Sequence, residues 1–263
     1  MRREEIEGLE SPLARVVECH EETSSTQQSA RELARNAGAP HGTLVISGIQ
    51  KGGRGRLGRS WGSPRGGLWM SLVLRLDIPA ASAARVTQTA AVGVAKALWE
   101  AGVEARIKWP NDLLVGDRKI CGILAESHLK STRPRQGTRL DFVVLGVGLN
   151  ANLDPEDLGV TDRQVATLRS ELGYDVDLLE LLDTILRNLE TELGRIDRFD
   201  TILNDWRALN CTLGRWVRVR RFGKVLEGEA VDLSPEGALL LNTKGGMVEI
   251  FEGEVEHVRR TEG

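Results

Sequence analysis

A chain of 263 residues with 41% hydrophobic and 28% charged residues is long enough to bury a core without disulfides or metals to staple it. A formal net charge of −3 excludes a protein that binds polyanions over its whole surface, and no run of about 18 apolar residues offers a membrane span. Cys19, Cys121 and Cys211 lie too far apart for a zinc or redox motif and the four histidines are scattered, so reduced thiols in a cytoplasm and no histidine-rich metal centre are expected.

The opening residues, MRREEIEGLE, lack the apolar stretch of a signal peptide. Ser24 with Gln27, or Ser25 with Gln28, has capping-box spacing and predicts a short helix over 23–36. Residues 43–49, apolar and β-branched, predict a strand. Further strands are predicted over 68–76 and 103–109, with a long alanine-rich helix over 80–100 between them. Residues 113–115 and 119–126, separated by Gly116-Asp117, read as a hairpin with a two-residue turn. A basic loop over 130–139, expected to be mobile, leads to a strand over 142–149, and leucines at helical spacing predict a helix over 177–193. Beyond residue 214 only short strands follow, over 216–220, 225–231, 238–241 and 248–255, with the turn Ser234-Pro235-Glu236-Gly237 among them. That texture predicts a small β-barrel or sandwich, with a boundary near 209–213.

Between Leu33 and Leu76 there is no acidic residue, whereas Arg35, Lys51, Arg54, Arg56, Arg59, Arg65 and Arg75 all fall there. Such a segment in a near-neutral chain is either a solvated basic loop or a local anion site. Its centre is GGRGRLGRSW, Gly52 to Trp61, in which Gly53, Gly55 and Gly58 also satisfy G-x-G-x-x-G. A dinucleotide fingerprint needs a helix directly after the turn, and residues 59–67, with Gly62, Pro64, Gly66 and Gly67, cannot propagate one. The near-match Gly146-Val147-Gly148 leads into Asn152-Leu153-Asp154-Pro155, an equally poor helix start. An RNA-binding Arg/Gly box would be repeated and disordered, but this one is a single copy between two apolar strands. A third reading fits better. The glycines let backbone approach a ligand, and Arg54, Arg56 and Arg59 present planar donors to phosphate. Their mutual repulsion should leave the loop open until an anion is held, and Trp61 either anchors its end by burial or covers an aromatic base.

KWPNDLL, Lys108 to Leu114, carries the turn signal Pro110-Asn111-Asp112. A carboxylate where a strand meets a hairpin can hold Mg²⁺ beside phosphates, with Asn111 as a neutral partner. Lys119 on the following strand is costly if it points inward without an anion. Each is unremarkable alone, as a turn and a solvated strand residue; beside the arginine loop they favour nucleotide chemistry.

GGRGRLGRSW, KWPNDLL, the Lys119 hairpin and GVGLN occur in this order in biotin–protein ligases, and the sequence resembles that family from about Glu22 onward. The resemblance implies an α+β fold: a mixed-sheet, class II synthetase-like catalytic domain over 1–212 with helices on one face, and an SH3-like β-barrel over 213–263. It implies a two-step reaction, in which biotin and ATP give biotinyl-5′-adenylate and the acyl group then passes to one lysine of a biotin carboxyl carrier domain. By position, Ser25, Thr26 and Gln27 match the family's Ser-Thr-Asn segment, with Gln27 where Asn is usual, and Gln50 matches its biotin-contacting glutamine. Arg54, Gly55 and Arg56 match the adenylate-binding core, with Arg59 and Trp61 beside it. Lys119 matches the lysine that touches carbonyl and phosphate. Asp112, Asn111 and Asn150 match polar residues near the Mg²⁺ and nucleotide. Arg56, Lys119 and Asp112 are the expected catalytic set. About 22 residues before the first motif are too few for a three-helix DNA-binding domain, so a ligase without repressor activity is expected, and the family suggests a homodimer. The alternatives are a lipoate–protein ligase of related fold and, in a different class, a nucleic-acid-binding module using the basic loop.

Overall fold

The structure, a computed structural model, describes residues 1–130, 137–159, 165–221 and 223–258. Its frame is a seven-stranded sheet in the order β1-β2-β3-β7-β6-β5-β4. The strands are β1 Val16–Thr23, β2 Thr43–Gln50, β3 Leu68–Leu74, β4 Arg106–Lys108, β5 Asp112–Val115, β6 Arg118–Leu129 and β7 Leu140–Leu149. Only β1 and β2 run parallel; the remaining neighbours are antiparallel. Strand alternation divides the apolar residues between two faces. On β3, Leu68, Met70, Leu72 and Leu74 join the large core, whereas Val73 joins a small one with Val45, Val144 and Phe142.

The six α-helices among the described residues are α1 Arg3–Glu7, α2 Thr26–Asn36, α3 Ala83–Glu100, α4 Leu168–Leu172, α5 Leu178–Leu193 and α6 Phe199–Leu209. The expected helical layer is α3, α5 and α6, whose buried faces fill the large core. One helix lies on the other face: α2 covers the small core with Ala30 and Ala34. This placement sets the N-terminus of α2 over the middle of the sheet. The capping box expected there is not made. Ser25 stands at the N-cap without a side-chain cap bond, and the first backbone donor of the helix, Thr26 N, bonds to Gln50 Oε1 at 2.8 Å.

A second, antiparallel sheet of five strands has the order β11-β10-β9-β8-β12, with β8 Trp216–Arg221, β9 Lys224–Leu233, β10 Leu239–Thr243, β11 Gly246–Ile250 and β12 Glu254–His257. The single strand expected over 248–255 is two. The chain turns at Gly253, φ +157°, and β11 and β12 go to opposite edges of the sheet. The strand expected over 103–109 shrinks to β4, since Val103 N bonds back to Leu98 O at 2.8 Å and prolongs the end of α3. The basic loop expected to be mobile over 130–139 falls mainly on 131–136, outside the described residues. The second sheet shares a core with the first unit: Val217, Val219, Leu233 and Leu239 belong to the same buried cluster as α3 and α6. Gln88 Nε2 and Trp109 Nε1 both donate to Gly237 O, at 3.2 and 3.4 Å, tying the turn before β10 to α3 and β4.

Candidate active site

The sheet face beneath the N-terminus of α2 carries a cavity of about 280 Å³. Its floor is built by omission. A Cβ on Gly148 would lie 2.6 Å from Trp61 Nε1, and one on Gly146 would lie 2.5 Å from Gln27 Oε1. The glycines of GVGLN therefore serve strand flatness under two side chains, not a phosphate turn. Trp61 lies half-buried, edge-on to Trp69 at 6.5 Å between ring centres, and the Lys119 ammonium sits 4.9 Å above its ring. Trp61 thus anchors the end of the loop and forms an aromatic wall of the cavity.

One end of the cavity is polar and uncharged. Thr26 N and Thr26 Oγ1 approach Gln50 Oε1 at 2.8 and 3.1 Å, and Gln50 Nε2 donates to Ser63 Oγ at 2.9 Å. Thr26 Oγ1 also lies 2.9 Å from Ser71 Oγ, which donates to Gln27 Oε1 at 3.1 Å. Ser25 Oγ is buried with no partner among the described residues, and so are Trp61 Nε1 and Asn150 Oδ1. A buried polar atom left unpaired costs about 1–3 kcal/mol. Three around one cavity point to a ligand with complementary polar groups.

The other end is cationic. Lys119 Nζ and Asp112 Oδ1 are 2.6 Å apart. Arg56 Nη1 donates to Asn111 Oδ1 at 3.1 Å and to Gly253 O at 3.4 Å, and Asn111 Nδ2 donates to Ile123 O at 2.8 Å. Burial pulls the Arg56 guanidinium below its ordinary pKa, against the opposing pull of Asp112 and Glu252. A buried cation is costly unless anions meet it, so this guanidinium would gain from a bound phosphate. The glycine–arginine loop folds over this end as a small hairpin, with Gly55 N on Arg59 O at 2.7 Å and Trp61 N on Gly53 O at 2.9 Å. Arg59 reaches Glu254 on β12 at 2.8 Å, and Arg54 donates to Gln28 Oε1 at 3.3 Å.

Among the described residues, Asp112 is the one carboxylate that lines the cavity. Mg²⁺ is commonly held by one or two carboxylates together with substrate phosphates, so a single carboxylate facing an arginine and a lysine fits a metal that arrives with a nucleotide. No group of three or more His, Cys, Asp or Glu that could hold a metal by itself exists among the described residues.

All thirteen residues singled out from the sequence line this cavity: Ser25, Thr26, Gln27, Gln50, Arg54, Gly55, Arg56, Arg59, Trp61, Asn111, Asp112, Lys119 and Asn150. Several spend their polar groups on neighbours. Asn111 holds Arg56, and Asn150 Nδ2 donates to Ala166 O at 3.0 Å. Three contributors were missed. Ser71 could have been found as the lone hydroxyl in LWMSLVL; Gly253 and Glu254 carry no local signal, because only the fold brings them to the loop.

Residues 20–150 match the biotin/lipoate A/B protein ligase family, and residues 212–258 match the biotin protein ligase C-terminal domain. The chain is 37% identical over 242 residues to the bifunctional ligase/repressor BirA of Bacillus subtilis (strain 168), covering 90% of this chain and 72% of that one. It is 31% identical over 247 residues to the biotin–[acetyl-CoA-carboxylase] ligase of Mycobacterium tuberculosis (strain ATCC 25618 / H37Rv), covering 90% and 87% respectively. Among solved structures it resembles the biotin protein ligase from Aquifex aeolicus in complex with biotin and ATP, with a TM-score of 0.75 and 28% identity over 94% of this chain and all of that one.

Proposed function

Because this chain belongs to the biotin/lipoate A/B protein ligase family, we propose that the two ends of its cavity divide the work of biotin–protein ligation. The chain is an ATP-dependent biotin ligase of the biotin–[acetyl-CoA-carboxylase] type. It joins biotin to ATP as biotinyl-5′-adenylate and passes the acyl group to a lysine of a biotin carboxyl carrier protein. The observation that carries the division is the contrast within one cavity: an uncharged hydrogen-bonding end at Ser25, Thr26 and Gln50, and a cationic end at Arg56 and Lys119.

In this reading the ureido ring of biotin lies at the uncharged end and its carboxylate points toward Lys119. Biotin's carboxylate is already ionised, so no general base is required. The barrier is the approach of two anions, and Arg56 and Lys119 lower it by sharing their charge as the carboxylate oxygen attacks the α-phosphorus and pyrophosphate leaves. Asp112 would hold Mg²⁺, which supplies further charge neutralisation at the phosphates. Arg54, Arg59 and Trp61 flank the adenylate, and Asn111 and Asn150 position this end. The hairpin loop, closed, keeps water from the mixed anhydride. We assign adenylate formation to 1–212 and give 213–263 a part in retaining the adenylate and handing it on, through Gly253 and Glu254. A homodimer and a cytoplasmic location complete the reading; three free cysteines suit a reducing compartment. No helix among the described residues is long and apolar enough to cross a membrane.

The test is ATP–pyrophosphate exchange. Exchange that requires biotin, followed by label appearing on a carrier domain, is expected. Exchange that responds to lipoate and not to biotin would transfer the chain to the other branch of its family.

A further inference from the structure

The uncharged end of the cavity has more hydroxyl contacts than hydroxyl protons. Thr26 Oγ1 lies 3.1 Å from Gln50 Oε1 and 2.9 Å from Ser71 Oγ, and Ser71 Oγ lies 3.1 Å from Gln27 Oε1. The two carbonyl oxygens only accept, so two protons must serve three contacts. Neither amide can be turned to supply another. Gln27 Nε2 faces Val144 O at 3.0 Å, Glu126 Oε2 at 3.2 Å and Leu124 O at 3.5 Å, all acceptors. Gln50 Oε1 accepts from Thr26 N at 2.8 Å, and its Nε2 donates to Ser63 Oγ, whose own proton goes to Trp61 O at 3.1 Å.

The direction of the chain follows from which acceptor would be stranded. Gln50 Oε1 keeps the Thr26 N–H whatever the hydroxyls do. Gln27 is 4% exposed and Ser71 is fully buried, and no other donor to Gln27 Oε1 is present among the described residues. A buried acceptor without a donor is the costlier fault, so the Ser71 proton goes to Gln27, and the Thr26 proton goes to Ser71, since otherwise the two hydroxyl oxygens would face each other at 2.9 Å with no proton between them. Both are then drawn into the protein, and Thr26 Oγ1 turns only lone pairs toward the cavity.

We propose that Ser71 and Gln27 are specificity-determining positioning residues, which fix the Thr26 hydroxyl proton so that this end accepts an N–H of the acyl acid and rejects acids that bring only acceptors or no polar group there. This rests on the ureido ring occupying the uncharged end. A ring N–H meets a lone pair of Thr26. A ring oxygen in its place sets lone pair against lone pair, and a dithiolane leaves Thr26 with no partner.

The experiment is kcat/KM in ATP–pyrophosphate exchange for biotin and for its two cyclic-carbamate analogues, in which one or the other ring N–H is replaced by oxygen. The full chain is compared with Gln27→Met and Ser71→Ala. A site built around a donor discriminates strongly against its absence, so at least one carbamate should fall about 100-fold or more below biotin in the unmodified chain. Gln27→Met frees the Ser71 proton to turn to Thr26, and Ser71→Ala removes the 2.9 Å hydroxyl partner, so in either variant the Thr26 proton is held only by Gln50 Oε1, at 3.1 Å and already served by Thr26 N, and can turn to the oxygen analogue. The biotin-to-carbamate ratio should shrink about tenfold or more in each, close to one hydrogen bond's worth, with KM for ATP unchanged. A ratio that stays constant in either folded variant overturns the inference. So does a uniform loss for biotin, carbamates and ATP, the mark of a purely structural role. If Gln27→Met fails to fold, Ser71→Ala decides. Failure of the functional reading is separate: it shows in the unmodified chain alone, as no exchange with biotin.

Discussion

Arg56 and Gln50 sit at opposite ends of one cavity, and their loss should be felt differently. Arg56 is held by Asn111 and Gly253 O and is partly stripped of water; in the proposed reaction it acts where charge is shared between carboxylate and phosphate. A lost hydrogen bond to a charged group is worth roughly 1.5–3 kcal/mol, or about 10- to 100-fold in rate. Arg56→Ala should slow adenylate formation by that order and also let the adenylate escape, so random acylation of exposed lysines rises while turnover falls. Gln50→Ala should raise KM for biotin, since Gln50 Oε1 braces Thr26, and leave acylation confined to the carrier. Labelling a mixture of carrier and unrelated protein, with adenylate release followed in parallel, separates the two. Strict selectivity in Arg56→Ala would reduce Arg56 to a bystander.

At the scale of elements, β7 shows how a strand can be shaped by what it must not carry. Gly148→Ala places a methyl 2.6 Å from Trp61 Nε1, whereas Gly122→Ala on β6 meets Trp61 Cζ3 at 3.2 Å. Overpacking of this kind costs about 1–3 kcal/mol. Gly148→Ala should lose that order of stability and displace the indole, with KM rising for both substrates, and Gly122→Ala should do so less. Equal thermal midpoints and an unmoved Trp61 indole N–H resonance in Gly148→Ala would refute the account of the floor. The glycine pattern itself was visible in the sequence, but its reason was not, because Trp61 and Gln27 reach β7 from distant segments. Elements with strong local periodicity, such as β2, β3, α3 and α5, were legible for the opposite reason. β1 was not: VVECHEET is half polar, being an edge strand paired on one side only. α6 was overlooked although Phe199, Ile202, Leu203, Trp206 and Leu209 have helical spacing and are buried. The cationic half of the site could be read from arginines in one acid-free run. The hydroxyl network could not, since Thr26, Gln27, Gln50 and Ser71 lie on three elements that only the fold joins.

For the whole molecule, the second sheet is part of one folded body, and its stability carries a signature of pH. His257 on β12 is half-buried, and burial with Lys108 and Arg215 nearby pushes its pKa down from 6.5 to about 4. Its Nδ1 lies 3.2 Å from Arg215 Nη1, a contact that suits the neutral ring. The unfolded chain therefore takes up a proton near pH 6.5 that the folded chain refuses until about pH 4. The stabilisation is complete above pH 6.5 and is lost as pH falls through this window. Its ceiling is about 3 kcal/mol, and less in practice because water reaches the ring. His41 and His128, also depressed by burial, add with the same sign. Chemical denaturation between pH 7 and 4 should show the decline, and His257→Gln should flatten part of it; an identical slope in the variant would remove His257 from the account.

The contact between Arg59 and Glu254 has a consequence for timing. Both side chains are open to solvent, at 62% and 37% exposure, and such a pair is worth roughly 0.2–1 kcal/mol. A latch of that strength lengthens the dwell time of the closed loop by no more than about fivefold. In the proposed reaction it would delay loss of the reactive intermediate without locking it in, so a carrier lysine would need only to wait for a spontaneous opening and would not have to force one. The delay must also depend on the medium, because exposed charges are screened by salt. Raising ionic strength should shorten the residence time of biotinyl-adenylate, measured by its release in the absence of carrier. In Glu254→Gln that release should start faster and respond less to salt, whereas an unchanged salt response would mean that the clock runs elsewhere in the loop.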